Sequence, residues 1–324
     1  MCRTDDFAQT CCLLAICFVS WAFFTAMKYY IKLLRPKDWA KNLFLFVPSF
    51  FAGVFFEFDK IELLLSGFLA FCFFASAIYI INDYRDMDED SKHPEKSKRP
   101  LASGKVKKPI AIFICILSII LGVVLAYIAD PSLKFMFVAG LYFVMNLLYC
   151  FGLKNISILD ILIISAGFVL RVKGGAIIAQ VDASDWLIIM TFLLSLFMAI
   201  AKRRDDMLLK ISTGMEMRKS IKGYNLDFLN IMLALFSAVL IVAYINYTVS
   251  PFTTARLGTY RVYYSSLFVI AGVMRYLQIT FVQEKSGSPT EILYKDRFIQ
   301  ITILLWVASI YVILYLKDYT FFKK

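Results

Sequence analysis

Charged residues and histidine are scarce in this sequence, and its cysteines show no paired spacing. Charged residues make up 18% of the 324 positions, and there is one histidine. The seven cysteines form no CxxC pair and no spacing typical of a metal site, so neither a zinc site nor a disulfide framework is predicted. Cys72, Cys115 and Cys150 fall inside apolar runs, where we expect them to act as small hydrophobic residues.

Apolar residues dominate instead. They make up 60% of the chain, against roughly 45–50% in a soluble domain. The apolar runs are continuous and lack the short alternating strands of a transmembrane barrel, which leaves helices as the way to satisfy backbone groups in lipid. We therefore predict an all-α integral membrane protein that forms one helical bundle.

Apolar segments long enough to cross a hydrocarbon core of about 30 Å recur along the whole chain. They predict about nine transmembrane helices, at approximately 38–56, 61–83, 107–128, 132–150, 156–180, 184–202, 227–249, 260–282 and 297–317.

The formal net charge of +11 fits a membrane topology better than nucleic-acid binding, because the basic residues lie in loops between apolar segments. The loops near 84–106 and 203–226 are rich in lysine and arginine, and the loops on the opposite face are poor in them. We expect the two basic loops to face the cytoplasm of a bacterial or archaeal membrane. One of these loops follows the second span and the other follows the sixth, so four helices separate them. This spacing suggests two related halves with a site between them.

Residues 1–26 stand apart from the rest. They are either an extra hydrophobic segment or the result of a mis-assigned start before Met27, and no clear cleavage site is present. We assign them no function and predict one transmembrane domain over 27–324.

An acidic run from Asn82 to Asp90 follows the second apolar segment. At about 100° per residue, Asp83, Asp86 and Asp90 lie within about 60° of one another on a helix, whereas Asp88 points away. Carboxylate oxygens without sulfur or histidine suit Mg²⁺, which commonly bridges carboxylates to substrate phosphates. We therefore predict these three aspartates as metal ligands and catalytic residues rather than as a solvated charged loop.

The string NDYRDMDEDSKHPEKSKRPLASG, from Asn82 to Gly104, resembles the first aspartate-rich motif of the UbiA superfamily of intramembrane prenyltransferases. The resemblance implies a nine-helix bundle with its site between two aspartate-rich motifs on the cytoplasmic side. In place of the second motif, this chain has Ser195 to Asp206, where Lys202 and Arg203 replace some of the acid. A site with fewer acidic residues and more fixed cations is better suited to additional phosphate groups than to a lone prenyl diphosphate.

Further segments resemble one branch of this superfamily, the decaprenyl-phosphate phosphoribosyltransferases, over about residues 28–317. They lie at 35–42, 93–96, 149–154, 159–160, 167–171, 202–203, 275–276 and 289–296. The resemblance implies a pentosyltransferase that uses Mg²⁺ and moves a 5-phosphoribosyl group from phosphoribosyl diphosphate to a polyprenyl phosphate, releasing diphosphate. A lipid phosphate is already ionised at neutral pH, so the lack of a catalytic histidine or cysteine is no obstacle.

On this interpretation, fixed cations and one amide bind the substrates. The candidates are Lys41, Asn82, Arg99, Lys154, Arg171, Lys202 and Arg203, and Asp206 joins the three aspartates as a fourth metal ligand. Membrane anchoring is the competing explanation for the cations. It explains Arg171 least well, because Arg171 lies in the middle of a span. Asp160 either pairs with one of these cations or binds metal. For His93, which precedes a proline, shaping a turn or contacting phosphate is favoured over acid–base catalysis.

Two other functions stay open. A conventional UbiA-type prenyltransferase would use the same Mg²⁺ cluster to move a prenyl group from an allylic diphosphate to an aromatic or lipid acceptor. A transporter would also accommodate nine spans and intramembrane charges, but it leaves the stripe of aspartates unexplained. The sequence predicts neither the isoprenoid length nor an oligomeric state.

Overall fold

The computed structural model describes residues 27–92, 96–214, 219–283 and 289–315; within these ranges no strand is assigned. In chain order the helices are α1 (27–34), α2 (Val47–Ala52), α3 (Phe58–Arg85), α4 (Met87–Ser91), α5 (Lys108–Ala129), α6 (Lys134–Phe151), α7 (Leu159–Ala179), α8 (Asp185–Thr213), α9 (Leu226–Val249), α10 (Pro251–Leu257), α11 (Ser266–Phe281), α12 (Pro289–Lys295) and α13 (Arg297–Tyr315). Short 3-10 helices lie at Pro36–Phe46, Lys96–Lys98, Leu153–Asn155, Lys219–Gly223 and Arg261–Ser265.

Seven helical segments of the described chain are long and apolar enough to cross a membrane. They are α3, α5, α6, α7, α8, α9 and the segment Arg261–Phe281, which contains α11. The predicted all-α integral membrane fold is therefore confirmed, although the count of nine spans is not. The last predicted span corresponds to a shorter apolar helix, Arg297–Ile313.

The prediction of one continuous helix over 38–56 is wrong. The chain forms a 3-10 helix over Pro36–Phe46 and then the six-residue α2. Pro48 lies in the first turn of α2, where its missing N–H costs no hydrogen bond. Gly53 adopts φ 81° and ends the helix, as a left-handed cap does.

The helix predicted over 184–202 is longer than the sequence indicated. Ser184 caps α8 by accepting a hydrogen bond from the Leu187 amide at 3.2 Å, and the helix continues to Thr213, where Gly214 ends it at φ 72°. Hydropathy falls at Lys202, but a helix continues until a cap stops it. The basic and acidic residues from Lys202 to Asp206 therefore lie on a helix and not in a loop.

One compact unit contains residues 27–43 and Leu65–Met136. Within it, α3 packs on α5, where a Cβ placed on Gly122 would lie 2.9 Å from the Phe74 ring. The Cys115 thiol donates to the Ala77 carbonyl at 3.7 Å across the same contact. Cys72 and Cys115 are buried in this unit, and the Cys72 sulfur accepts a hydrogen bond from Asn42 Nδ2 at 3.2 Å.

The second compact unit contains Phe44–Leu64 and the described chain from Phe137 onward. Here α8 packs against α7 and α9, and its core includes Phe197, Ile200 and Leu229. The backbone of α7 comes very close to Leu45, because a Cβ added to Gly175 would lie 1.8 Å from the Leu45 carbonyl oxygen. A residue without a side chain is therefore required at this position.

Candidate functional site

The predicted acidic motif spans the end of α3, a one-residue break and α4. Asp83 lies in the last turn of α3, Asp86 occupies the N-cap position of α4 at φ −87° and ψ 5°, and Asp90 lies within α4. The run is therefore not one continuous helix. Asp88, Glu89 and Asp90 fill the first turn of α4, where carboxylates interact favourably with a helix N-terminus.

The acids of the motif differ in burial. Asp83 and Asp90 are 2% and 3% exposed, Asp86 is half-buried, and Asp88 and Glu89 are exposed. A buried carboxylate needs compensating charge or hydrogen bonds. Asp83 and Asp90 are thus the two acids of the motif whose burial requires partners.

Arginines supply these partners. The Asp83 Oδ1 atom accepts hydrogen bonds from Arg35 Nη2 at 2.5 Å and from Arg99 Nη1 at 2.9 Å. The same Arg99 nitrogen donates to Asp90 Oδ2 at 2.6 Å, and Lys96 Nζ lies 4.0 Å from Asp90 Oδ1. The structure thus brings together Asp83, Asp90 and Arg99, which the sequence predicted, with Arg35, which it did not.

Arg35 occupies an unusual backbone position between α1 and the following 3-10 helix. It adopts φ 53°, although it is not glycine and precedes Pro36, which disfavours helical conformations for the residue before it. Its guanidinium lies 4.8 Å from the centre of the Tyr79 ring. Burial alone would lower the pKa of Arg35, but the charge and hydrogen bond of Asp83 outweigh it and raise that pKa.

A second charged cluster forms on α8. Arg203 donates from Nε to Asp160 Oδ2 at 2.5 Å and from Nη1 to Asp206 Oδ2 at 3.1 Å. Lys202 Nζ lies 3.4 Å from Asp206 Oδ1. The Arg203 side chain is 1% exposed, and its Nη2 atom is buried with no hydrogen-bond partner in the described structure.

Asp160, in the first turn of α7, is fully buried and accepts two further hydrogen bonds. Ser220 Oγ donates at 3.0 Å and Tyr224 Oη donates at 2.7 Å. Tyr224 Oη also accepts from the Ile158 amide at 2.5 Å, and Ile158 adopts φ 70°, which is rare for a β-branched residue. Burial and the bond to Asp160 both raise the pKa of Tyr224. Of the two roles open for Asp160, the geometry favours the ion pair.

The remaining predicted residues differ in burial and in the contacts that they make. Buried Arg171 donates to Tyr142 Oη at 2.8 Å and lies 5.1 Å from the Phe168 ring centre. Lys41 pairs with Asp38 at 2.6 Å. The remaining two, Asn82 in α3 and Lys154 in a 3-10 helix, are half-buried. His93 falls outside the described residues.

Comparison with known proteins places the chain in a family. The sequence profile described as the UbiA prenyltransferase family matches residues 43–301. The chain belongs to the UbiA prenyltransferase family. The resemblance drawn from the acidic motif is therefore confirmed, and the chain is a transferase of this family embedded in a membrane.

Two relatives of this UbiA-family chain carry the same name. A decaprenyl-phosphate phosphoribosyltransferase from Corynebacterium glutamicum is 32% identical over 290 residues, which cover 88% of this chain and 86% of the relative. The decaprenyl-phosphate phosphoribosyltransferase of Mycolicibacterium smegmatis is also 32% identical over 290 residues, covering 86% and 90%.

A solved structure shares the fold. The UbiA homolog from Archaeoglobus fulgidus bound to GPP and Mg²⁺ has a TM-score of 0.65 to this chain, with 19% identity, and the match covers 88% of this chain and 99% of the homolog. At this identity, the likeness shows that the UbiA fold is common to both.

The acidic motif of this UbiA-family chain fits Mg²⁺ as a partial ligand set. No group of three or more histidine, cysteine, aspartate or glutamate side chains in the described residues has the arrangement of a metal site. Asp83 and Asp90 nevertheless converge on one Arg99 nitrogen, so two buried carboxylate groups lie close together. Mg²⁺ is commonly held by one or two carboxylates, with water and substrate phosphates completing its shell. The four-aspartate set with Asp86 and Asp206 stays a prediction.

Proposed function

We propose that this protein transfers a 5-phosphoribosyl group from phosphoribosyl diphosphate to a polyprenyl phosphate, releasing diphosphate in a Mg²⁺-dependent reaction. The observation that carries the proposal is the 32% identity, over 88% of this chain, to a relative named decaprenyl-phosphate phosphoribosyltransferase. The basic residues in the segment that replaces the second aspartate-rich motif support it. A site for two phosphorylated substrates needs more cations than a site for one phosphorylated substrate.

At the acidic motif, Asp83, Asp86 and Asp90 would hold the metal. When bound, Mg²⁺ would neutralise negative charge on the departing diphosphate. Arg99 already contacts both buried carboxylates through one nitrogen, and a guanidinium carries five N–H donors. Arg99 is therefore placed to bind diphosphate oxygens, with Asn82 as a neighbouring amide on α3.

At the cluster on α8, Arg203 and Lys202 supply positive charge, and Asp206 is the acid next to both. The buried, unpartnered Nη2 of Arg203 supports a role in binding, because such a donor is costly to leave unsatisfied. We assign Arg203 and Lys202, with Lys41, Lys154 and Arg171, to the 5-phosphate and the lipid phosphate, and Asp206 to the metal.

In this reaction a lipid phosphate oxygen forms a bond to the ribose C1, and the bond between C1 and the diphosphate oxygen breaks. The bonding electrons leave with the diphosphate, and no proton has to be removed from the nucleophile. The protein residues bind and orient two polyanions and offset their charge. We further propose that the site faces the cytoplasm, because the basic residues over 84–106 and 203–226 follow the positive-inside rule.

Donor preference tests the proposal directly. In one reaction, purified protein in lipid nanodiscs receives polyprenyl phosphate and radiolabelled phosphoribosyl diphosphate. In a second reaction, it receives a matched acceptor mixture and radiolabelled geranylgeranyl diphosphate. We expect label to enter the lipid fraction from the phosphoribosyl donor and the transfer to stop when EDTA removes Mg²⁺. Label that enters only from the prenyl donor would make the chain a conventional UbiA prenyltransferase.

A further inference from the structure

Two guanidinium groups share one buried carboxylate oxygen in the acidic motif. Asp83 is 2% exposed, and its Oδ1 accepts from both Arg35 and Arg99. The arginine side chains are 24% and 26% exposed. The shared acid is thus buried, whereas both arginines are partly exposed and a ligand can reach them.

Both arginines keep most of their donors available to a ligand. Within the described residues, the side-chain hydrogen bonds of Arg35 come from Nη2, and those of Arg99 come from Nη1. Each guanidinium has five N–H donors in a planar fork that matches phosphate oxygens. A diphosphate can therefore bind the other donors while the bonds to Asp83 persist or exchange.

The local charge makes a metal and the arginines competitors for the same acids. A divalent cation on Asp83 and Asp90 would add two positive charges beside Arg35 and Arg99. Coulomb repulsion in such a partly buried place is stronger than in water. An incoming diphosphate removes the conflict, because it offers oxygens both to the metal and to the guanidinium groups.

Resting on the proposed function, we propose that Arg35 and Arg99 bind the diphosphate and oppose metal binding to Asp83 until the diphosphate is present. Metal and diphosphate then bind cooperatively, and Arg35 is a substrate-binding residue. By thermodynamic linkage, each ligand raises the affinity of the other by the same factor.

The backbone of Arg35 supports a specific role for this arginine. Its φ of 53° is a conformation that proteins keep for a non-glycine residue when the surroundings enforce it, and such strain clusters at functional sites. The Tyr79 face, 4.8 Å from the guanidinium, restricts the side chain further. The backbone conformation and Tyr79 thus hold Arg35 toward Asp83.

Metal titrations test the proposal without relying on turnover. Mn²⁺ binding to purified protein in nanodiscs is followed by electron paramagnetic resonance, with and without inorganic diphosphate. For Arg35→Gln and Arg99→Gln we expect Mn²⁺ alone to bind about threefold to tenfold more tightly, as loss of one partly exposed charged partner implies. In the same variants diphosphate should bind more weakly, and its effect on Mn²⁺ affinity should shrink.

Two further variants make the result specific. Lys60→Gln removes one charge and one ion pair, to Glu57 at 3.0 Å, and should leave both titrations unchanged. Arg35→Lys keeps the charge but loses the fork, so Mn²⁺ should bind as in the wild type and diphosphate more weakly; this variant also serves if Arg35→Gln fails to fold.

Weaker or unchanged Mn²⁺ binding in Arg35→Gln and Arg99→Gln would overturn the proposal, because the arginines would then support the metal or be indifferent to it. The same holds if diphosphate does not tighten Mn²⁺ binding in the wild type. Neither titration requires an acceptor lipid. A wild type that transfers prenyl groups would therefore refute the proposed function while leaving these binding results to decide the role of Arg35.

Discussion

Replacing Asp160 by asparagine should destabilise the protein strongly, because it removes the charge that faces buried Arg203. Asp160 is fully buried, Arg203 is 1% exposed, and Nε and Oδ2 are 2.5 Å apart. Removing one partner of a buried pair costs about 3–5 kcal/mol. Asp206 remains 3.1 Å from Arg203, so we expect the lower end of that range, about 3 kcal/mol.

The measurement is reversible unfolding of purified protein in mixed detergent micelles, with Asp296→Asn as the matched control. Asp296 also pairs with an arginine, Arg275, at 2.8 Å, but these side chains are 15% and 26% exposed. Because this pair is more exposed than the pair of Asp160 and Arg203, we expect a smaller loss of stability in Asp296→Asn. Equal losses in the free energy of unfolding for the two variants would refute the assignment of Asp160 as the ion-pair partner that stabilises Arg203. A change in Mn²⁺ affinity with unchanged stability in Asp160→Asn would also refute it.

Three other outcomes follow from the structure. Asp83→Ala or Asp86→Ala should abolish transfer while membrane insertion, checked by fractionation, stays intact; full activity would remove that residue from the mechanism. Gly175→Ala should cost about 1–3 kcal/mol or more by overpacking, whereas Gly140→Ala, with nothing within 4 Å, should be neutral or stabilising in the same unfolding assay. Burial alone would raise the pKa of Asp130, but hydrogen bonds from Ser132 and Phe135 lower it. The stabilisation by Asp130 is therefore present above the pKa of the unfolded state and is lost as pH falls through the pKa of the folded state. The free energies of unfolding of the wild type and Asp130→Ala should thus become equal in acid.

Local patterns in the sequence predicted the parts of this protein that local physics determines. Continuous apolar runs predicted the long helices, since each must satisfy its own backbone in lipid. Spacing within the acidic run grouped Asp83, Asp86 and Asp90 against Asp88; in the structure Asp83 and Asp90 are buried, Asp86 is half-buried and Asp88 is exposed. The same reasoning failed at the end of α8, because hydropathy responds to charge whereas the helix responds to its cap at Gly214.

These local patterns could not predict contacts between residues that lie far apart in the chain. Arg35 and Asp83 are 48 positions apart, and Tyr224 and Asp160 are 64 positions apart. Arg35 was part of a segment that resembles the family, but nothing in that segment indicated its contact with Asp83. Ser220 and Tyr224 lie in an ordinary polar connection, and only the folded chain shows that they complete the environment of Asp160.

The buried bonds of Asp160 also have a consequence for biogenesis. The ribosome makes α7 before α8, so this acid reaches the translocon when the residues that will surround it do not yet exist. At about 5–20 residues per second, the 64-residue interval to Tyr224 corresponds to roughly 3–13 s. During that time an ionised carboxylate disfavours entry of the first turn of α7 into lipid. We therefore expect α7 to settle in the bilayer as a hairpin with α8, after Arg203 has emerged, and not as an independently inserted helix.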